Sequence, residues 1–329
     1  MLRLSARQNV AAICLLGCAM SIPAAHAQNY PQRVITIVAA TAPGGPGDTA
    51  ARLITDKMSA LLGQQVIVEN MPGAGGTTGA ARVARAEPDG YTLLIHQNGL
   101  TIAPALYAKL PFDVAKDFVA IGLVNLSYSY LVGRKTLPPN DLKELIAWMK
   151  GPGRPTKFGH PGVGTVGHLS TVVFARTVGV ELNLIPYRGV APAMNDIVGD
   201  HLDLVSAGAS TSAPLIRTGK VKAYASTAPK REDAVPDVPT FTELGYSALE
   251  RPLWHALFAP AGTPPAVIKR LNAALQETIS DPEVRKAYAA RGVEAFPADQ
   301  LSIEAAQTYV RAEIERWGKV VRDNDVRAE

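Results

Sequence analysis

Residues 34–68 read VITIVAATAPGGPGDTAARLITDKMSALLGQQVIV and place a strand, a loop, a helix and a second strand in that order. The apolar run 34–38 precedes a loop rich in glycine and proline. Apolar side chains then recur at helical spacing until Gly63, and a β-branched run follows at residues 66–68. We interpret Asp48 as the residue that opens and caps this helix. The order predicts two parallel strands joined by a helical crossover, the unit of an α/β sheet.

The same order of elements occurs again in the second half of the chain. A strand begins at Phe158 and a glycine loop spans residues 162–167, after which helix, strand, loop, helix and strand patterns follow to residue 205. The repeat predicts two doubly wound α/β domains. In such sheets ligands bind outside the carboxyl ends of the strands, so the first glycine loop of each domain is expected to line a shared cleft. Helical spacing in the C-terminal third predicts long helices that pack back on the first domain.

The second glycine loop has the spacing G-x-G-x-x-G, which is typical of dinucleotide-binding folds. That function also needs an acidic residue at the end of the next strand, where it binds the ribose. Here Glu181 precedes the next strand, which ends in Pro186, Tyr187 and Arg188. The sequence therefore favours a different anion at the same helix start, and we expect no cofactor.

The composition is that of a globular protein with room for two domains: 47% of the 329 residues are apolar, 19% are charged, and the formal net charge is +4. Lysine and arginine are scattered along the chain, and no basic run alternates with aromatic residues, so nucleic acid is not an expected partner. No stretch after residue 27 approaches the length of apolar sequence that a membrane-spanning helix needs.

Residues 1–27 have the pattern of a cleaved export signal. Two arginines supply the positive start, an apolar stretch follows, and residues 25–27 form a small-x-small cleavage site. A membrane anchor, or lipid attachment at Cys18, is the competing interpretation. Both cysteines of the chain lie in this segment, so we expect a periplasmic mature protein without disulfides or thiolate ligands.

Both glycine loops favour an anion without the help of a basic side chain. Gly44 and Gly45 allow the backbone to approach a ligand closely, and the helix start that follows offers unpaired N–H groups with partial positive charge. The second loop repeats this arrangement and adds the Thr165 hydroxyl and the His168 imidazole near a helix start. A purely structural turn and a purely structural histidine are the competing interpretations.

Motifs of common catalytic sites are absent from the sequence, including G-x-S-x-G, H-E-x-x-H and a glycine loop that ends in G-K-S or G-K-T. No two histidines after residue 27 have helical metal-ligand spacing, so no metal site is predicted. A Ser/His/Asp triad assembled from distant residues stays open. We nevertheless expect a binding protein and not an enzyme.

The stretch from Tyr30 to Ile95 closely resembles the N-terminal block of the extracytoplasmic receptors of tripartite tricarboxylate transporters, the Bug or TctC family. The resemblance continues through GVGTVGHLS, IPYRGVAPAMNDIVGDHLDL, VPTFTELGY and LFAPAGTPPAVIKRLNAAL, and it covers nearly the whole mature chain. Two departures affect the wall of the cleft. Ala103 stands where asparagine is usual, and residues 39–41 are Ala-Ala-Thr where Val-Pro-Phe is typical.

The resemblance implies an α/β periplasmic binding-protein fold, type II-like, with two doubly wound domains around a cleft and two hinge crossings. Residues 28–128 and 251–329 would form the first domain, and residues 129–250 the second. It also implies that backbone N–H groups of the two facing loops hold one ligand carboxylate. Carried over by position, the ligand contacts are Ala42, Gly44, Gly45, Gly164, Thr165 and His168, with Asn98 after the third strand and Asp203 near the end of a second-domain strand as candidate specificity contacts.

The function that the resemblance implies is a periplasmic receptor, expected to be a monomer, that captures a small organic carboxylate by domain closure. It would deliver this ligand to the permease subunits of a tripartite tricarboxylate-type transporter. Two alternatives stay open: a ligand sensor that feeds a membrane signalling partner, and a periplasmic hydrolase. The residues do not select one carboxylate, since di- and tricarboxylates, aromatic acids and amino acids all fit such a site.

Overall fold

The computed structural model describes residues 30–151, 153, 155–323 and 326, so the predicted export signal at residues 1–27 lies outside the described residues. Within them the chain forms eleven strands and eleven α-helices. The strands are β1 (Ile35–Ala39), β2 (Val66–Asn70), β3 (Thr92–Gln97), β4 (Phe118–Ser127), β5 (Ser129–Arg134), β6 (Thr156–His160), β7 (Leu182–Pro186), β8 (Leu204–Gly208), β9 (Val221–Ser226), β10 (Leu253–Pro260) and β11 (Val293–Ala295). The helices are α1 (Pro46–Leu62), α2 (Thr77–Ala84), α3 (Asn98–Leu106), α4 (Val114–Asp117), α5 (Leu142–Lys150), α6 (Val166–Val178), α7 (Val190–Val198), α8 (Ala209–Arg217), α9 (Pro265–Ser280), α10 (Pro282–Ala289) and α11 (Ile303–Asp323).

The strands form two mixed sheets. The first sheet has the order β11-β4-β10-β3-β1-β2, and the second has the order β7-β6-β8-β5-β9. The predicted repeat is confirmed, because β2-β1-β3-β10-β4 and β7-β6-β8-β5-β9 place successive strands in the same order. In each sheet the first three strands of the repeat are parallel: β1 pairs with β2 and β3, and β6 pairs with β7 and β8.

The sequence pattern predicted parallel strands and missed the antiparallel strand inside each sheet. Strand β10 pairs antiparallel with β3 and β4, and β5 pairs antiparallel with β8 and β9. Each of these strands comes directly after the chain has passed from one sheet to the other. Because each is delivered from the other half of the molecule, no local pattern indicates where it is inserted.

The two passages between the sheets lie side by side. The first is Tyr128, between β4 and β5, and the second is the segment 227–252, between β9 and β10. The Ser129 N–H donates to the Thr227 hydroxyl at 2.9 Å, and the Thr227 N–H donates to the Ser129 carbonyl at 2.9 Å. The Arg251 N–H in turn donates to the Thr227 carbonyl at 3.1 Å. These bonds hold both passages in one narrow strip, the arrangement of two hinge crossings.

Helix α1 ends where the sequence predicts and begins earlier. Gly63 ends it in the left-handed conformation, with φ of 71°, and donates its N–H to the carbonyl four residues earlier at 3.0 Å. The prediction for its start was wrong, because the helix begins at Pro46 with Gly45 at the N-cap. Asp48 lies in the first turn, where its carboxylate accepts from the Gly44 N–H that precedes the helix. Proline at the first helical position has no N–H to leave unpaired, which permits this earlier start.

The second sheet has an apolar core on each face. Val132 and Val205 lie in the core with side chains of α7 and α8, whereas the adjacent residues Leu131 and Leu204 lie in the core with side chains of α5 and α6. Successive side chains of a strand point to opposite faces, so helices cover both sides of this sheet. The predicted doubly wound arrangement is therefore present.

The C-terminal helices pack back on the first sheet, as the sequence predicts. Leu271 and Leu275 of α9 are buried in the core of that sheet. The last helix, α11, extends further, since Trp317 belongs to a buried cluster with Leu106 of α3 and Leu169 of α6. Helix α11 therefore joins both halves of the molecule. Across the described ranges, no helix has the length and apolar character needed to cross a membrane.

Candidate functional site

The first glycine loop connects β1 to α1, at the carboxyl end of β1. Gly44 has φ of 75°, a conformation that glycine adopts without strain. Its N–H donates to the Asp48 carboxylate at 2.9 Å, and the Gly45 N–H donates to the Ala42 carbonyl at 3.0 Å. The N–H groups of Thr41, Ala42 and Gly47 have no acceptor within the described part of the chain. These three are the backbone donors that the loop leaves unpaired.

Asp48 holds the shape of this loop from the first turn of α1. Its carboxylate accepts hydrogen bonds from Gly44 N–H, from Arg52 Nε at 2.9 Å and from the Asn70 amide at 2.9 Å. Burial by itself would raise the pKa of the Asp48 carboxyl, but the hydrogen bonds from Arg52, Gly44 and Asn70 lower it below its usual range. The carboxylate is thus ionised at neutral pH, and its hydrogen bonds are made to groups of the protein itself.

The second glycine loop connects β6 to α6, and Thr165 is the N-cap of that helix. The Thr165 hydroxyl accepts from the His168 N–H at 3.2 Å and donates to the Gly162 carbonyl at 2.7 Å. Threonine is a favoured N-cap because its oxygen satisfies an N–H that the helix cannot. The hydroxyl therefore holds the loop and the first turn of α6 in one shape.

Two histidines support the second loop. The His160 and His168 rings lie with their centroids 4.6 Å apart. His160 Nδ1 accepts from the Gly162 N–H at 3.3 Å, and His168 Nδ1 accepts from the Gly164 N–H at 3.4 Å. Burial lowers the pKa of both rings, and for His168 burial and the neighbouring His160 lower it to about 4. Both rings are therefore neutral at pH 7, and their bonding places the remaining proton on Nε2.

The glycine loops of the two halves meet near the end of α3. A Cβ placed on Gly164 would lie 2.6 Å from the Leu106 side chain and 3.1 Å from the Tyr107 hydroxyl. A further glycine loop follows β2, and a Cβ on Gly75 would lie 3.9 Å from the Gly164 carbonyl oxygen. The Tyr107 hydroxyl also donates to the Ala74 carbonyl at 3.1 Å. The carboxyl ends of the two sheets thus face each other across these loops.

Sequence reasoning did not assign Tyr107 and Gly75 to this meeting point. Glycine at 75 was a partial signal, since its φ of 66° is one that other residues rarely adopt. No signal in the sequence pointed to Tyr107, because its partners belong to loops that precede and follow it at long range. At Gly164 an added Cβ would clash with the Leu106 side chain, and at Gly75 the positive φ disfavours any other residue.

Asn98, predicted as a specificity contact, is 1% exposed at the start of α3. Its amide nitrogen donates to the Glu313 carboxylate at 3.3 Å and to the Pro252 carbonyl at 3.2 Å, and its oxygen accepts from the Trp254 N–H at 3.1 Å. Glu313 also accepts from the indole N–H groups of Trp254 at 2.8 Å and Trp317 at 3.0 Å. Both polar atoms of Asn98 therefore join α3 to β10 and α11, and a ligand contact from Asn98 stays a prediction.

Asp203 precedes β8, whereas the sequence analysis placed it near the end of a strand. Its carboxylate forms a salt bridge with Arg134 at 3.1 Å and accepts from the Lys157 N–H at 2.9 Å. Strands β6 and β8 are parallel, so this is the edge of the sheet opposite to the glycine loop that follows β6. The structure does not bring Asp203 together with the loop residues, and its role as a ligand contact also stays a prediction.

The glycine loops at the carboxyl ends of the strands suit a negatively charged group. The loops that follow β1 and β6 lie at the starts of α1 and α6, and helix starts carry partial positive charge. Among the described residues, no group of three or more histidine, cysteine, aspartate or glutamate side chains is arranged to hold a metal ion. Fold and site together define a two-lobed α/β protein of the periplasmic binding-protein class.

The chain belongs to a family of transporter receptors. The family described as "Tripartite tricarboxylate transporter family receptor" matches residues 50–326. A relative from Agrobacterium vitis, the UPF0065 protein in the TAR-I ttuE-ttuC' intergenic region, is 40% identical over 300 residues, which are 91% of this chain and 87% of the relative. The family predicted from the sequence is confirmed.

Two solved structures superimpose on nearly the whole chain. The periplasmic binding protein BugD is 37% identical with a TM-score of 0.84, covering 91% of this chain and 100% of BugD. MatC from Rhodopseudomonas palustris, solved with bound malate, is 37% identical with a TM-score of 0.82, covering 89% of this chain and 100% of MatC. These similarities confirm the predicted fold class.

Proposed function

We propose that the protein is a periplasmic receptor that captures a small organic carboxylate between its two lobes and delivers it to the permease of a tripartite tricarboxylate-type transporter. One observation carries the proposal: the glycine loops that follow β2 and β6 meet at the carboxyl ends of the two sheets, in a chain of this receptor family. The malate bound by MatC is an acid of the proposed class.

The proposed ligand contacts lie on the glycine loops that follow β1 and β6. They are Ala42, Gly44 and Gly45 in the first lobe and Gly164, Thr165 and His168 in the second. The unpaired Ala42 N–H and the partial charges of two helix starts support this choice, since both favour a carboxylate. Within the second loop, the Thr165 hydroxyl and His168 Nδ1 hold the backbone, and we assign to His168 Nε2 the role of a donor to the ligand.

The proposed lobes are residues 28–128 with 251–329, and residues 129–250. This division follows the two passages between the sheets, so a rotation about that narrow strip would open and close the cleft. We propose that residues 1–27 are a cleaved export signal and that the mature chain is a monomer.

The first test measures which acids stabilise the mature chain. An acid present at about 100 times its dissociation constant raises the free energy of unfolding by about 2.7 kcal/mol, and its neutral methyl ester is expected to add much less. Thermal shift across organic acids, malate first, followed by calorimetry, provides both values. Equal stabilisation by acid and ester would overturn the carboxylate site.

We also propose that the protein catalyses no reaction on its ligand. Incubation of the bound acid with purified protein is expected to leave the acid unchanged, as measured by NMR spectroscopy of the solution over many hours. Progressive consumption that scales with protein concentration would instead support the hydrolase.

A further inference from the structure

The end of α3 lies between the two proposed lobes. Leu106 is the last residue of this helix and is 3% exposed. It belongs to a buried apolar cluster whose other members include Ile102 of α3, Val166 and Leu169 of α6, and Trp317 of α11. Helix α3 follows a strand of the first sheet, whereas α6 follows a strand of the second sheet. The cluster therefore buries apolar side chains from both halves of the molecule.

Leu106 contacts the second glycine loop directly. A Cβ placed on Gly164 would lie only 2.6 Å from a Leu106 methyl group, so the Gly164 backbone packs against that side chain. Gly164 also has φ of 80°, which disfavours any other residue at this position. The next residue, Thr165, is the N-cap of α6. Leu106 therefore supports, from the first half, the backbone that carries the proposed ligand contacts of the second.

The hydrogen bonds beside this contact stay within one half of the molecule. The Tyr107 hydroxyl donates to the Ala74 carbonyl at 3.1 Å, and both residues belong to the first half. The Gly164 N–H donates to His168 Nδ1 at 3.4 Å, and both belong to the second. Separation of the halves would leave these bonds intact but would expose Leu106 to water, which is unfavourable for an apolar side chain. Apolar packing at Leu106 therefore favours the closed arrangement.

We propose that Leu106 is a positioning residue of the ligand site. When the lobes close, the Gly164 backbone packs against Leu106, and the strength of this contact sets the fraction of the protein that is closed. The inference rests on the proposed function, in which the closed form binds the acid. A ligand that binds only the closed form has an apparent dissociation constant equal to the intrinsic one divided by the closed fraction. Loss of the contact therefore weakens binding while every proposed ligand contact is intact.

The first measurement compares Leu106→Ala with Leu145→Ala by calorimetry, with malate as the probe. Leu145 is the matched control, because it is 0% exposed and lies in the core between α5 and the second sheet. Both variants are expected to lower the free energy of unfolding. Only Leu106→Ala is expected to weaken malate binding, by about tenfold or more, whereas Leu145→Ala stays within about twofold of the wild-type protein. Leu106→Met conserves the volume and is expected to stay within about threefold.

Small-angle scattering without any acid provides a second measurement, which reports the closed fraction directly. Leu106→Ala is expected to have a larger radius of gyration than the wild-type protein and Leu145→Ala. Saturating malate is expected to bring all three to the same value. If Leu106→Ala does not fold, Leu106→Val and Leu145→Val replace the two alanine variants, and Leu106→Val is expected to weaken binding by about two- to fivefold.

Two results would overturn the proposal. Equal malate affinities of Leu106→Ala and Leu145→Ala would show that the cluster is a fixed part of the fold, and so would equal radii of gyration without acid. Absence of malate binding by the wild-type protein would count against malate as a ligand and against the proposed function. The comparison of radii without acid would still decide the role of Leu106.

Discussion

At the scale of single residues, two groups determine the conformation of the first loop. Gly44 adopts a positive φ, and the Asp48 carboxylate accepts a hydrogen bond from the Gly44 N–H. The glycine loop could be predicted because runs of glycine and proline act locally. The hydrogen bond from the Gly44 N–H to the Asp48 carboxylate could not be predicted. It depends on how the loop folds over α1 and on the contacts of Asp48 with Arg52 and Asn70. The donors left for a ligand are consequently fewer than the sequence predicted.

Gly44→Val is expected to weaken binding of the acid about tenfold or more and to destabilise the fold by about 1 to 2 kcal/mol. A branched side chain is strained at φ of 75° and would occupy the surface that faces the ligand. Gly219→Val is the control, because φ is 62° there and no atom lies within 4 Å of the added Cβ, in a turn after α8. Calorimetry and urea unfolding separate the two effects, and an equal loss of affinity in both variants would contradict the proposed loop.

The buried histidines couple stability to pH. Burial holds the pKa of His96 and His168 at about 4 and that of His255 at about 3, below the ordinary value of 6.5. Because their pKa is lower in the folded chain than in the unfolded chain, their contribution is complete above about pH 6.5 and is lost as the pH falls towards about 4. Urea unfolding is expected to show that the free energy of unfolding decreases steadily as the pH is lowered over that range.

His168→Gln is expected to make this pH dependence shallower, since one neutral ring that the unfolded chain would protonate is removed. His201→Gln is the control, because His201 is exposed. A free energy of unfolding that stays constant between about pH 7 and about pH 5 in the wild-type protein would contradict the buried neutral histidines.

At the scale of elements, α11 shows how one helix joins parts that are distant in the chain. Helical spacing places Glu313 and Trp317 one turn apart, which the sequence shows directly. Their partners, Asn98 and Trp254, belong to α3 and β10 and are reached only in the folded protein. Asn98 was suggested as a ligand contact only by the family resemblance. Its hydrogen bonds to Glu313 of α11 and Trp254 of β10 became visible only in the folded structure.

Glu313→Ala is expected to lower the free energy of unfolding by about 2 to 4 kcal/mol, because two buried indoles and the Asn98 amide would lose their acceptor. Glu315→Ala, an exposed position on the same helix, is expected to change it by less than about 0.5 kcal/mol. Urea unfolding of both variants measures the two changes in the free energy of unfolding. Similar changes would show that the hydrogen bonds to Glu313 contribute little to stability.

At the scale of the whole molecule, the two lobes are joined by paired crossings and by α11. Addition of a saturating acid is expected to reduce the radius of gyration of the mature chain in small-angle scattering, since the ligand would hold both loops together. NAD is expected to cause no change and no heat of binding. An unchanged scattering profile with a bound acid would contradict closure of the cleft.

The sequence by itself determined the repeated strand, loop and helix units, the positions of the glycine loops, the end of α1 at Gly63 and the family. These features depend on spacing and conformational freedom over a few residues, which a linear pattern displays. Only the tertiary structure decided that β5 and β10 enter their sheets antiparallel, that Asn98 bonds to Glu313, and that Asp203 pairs with Arg134. Their partners are distant in the chain, so burial and packing of the complete fold select them, and no local pattern can.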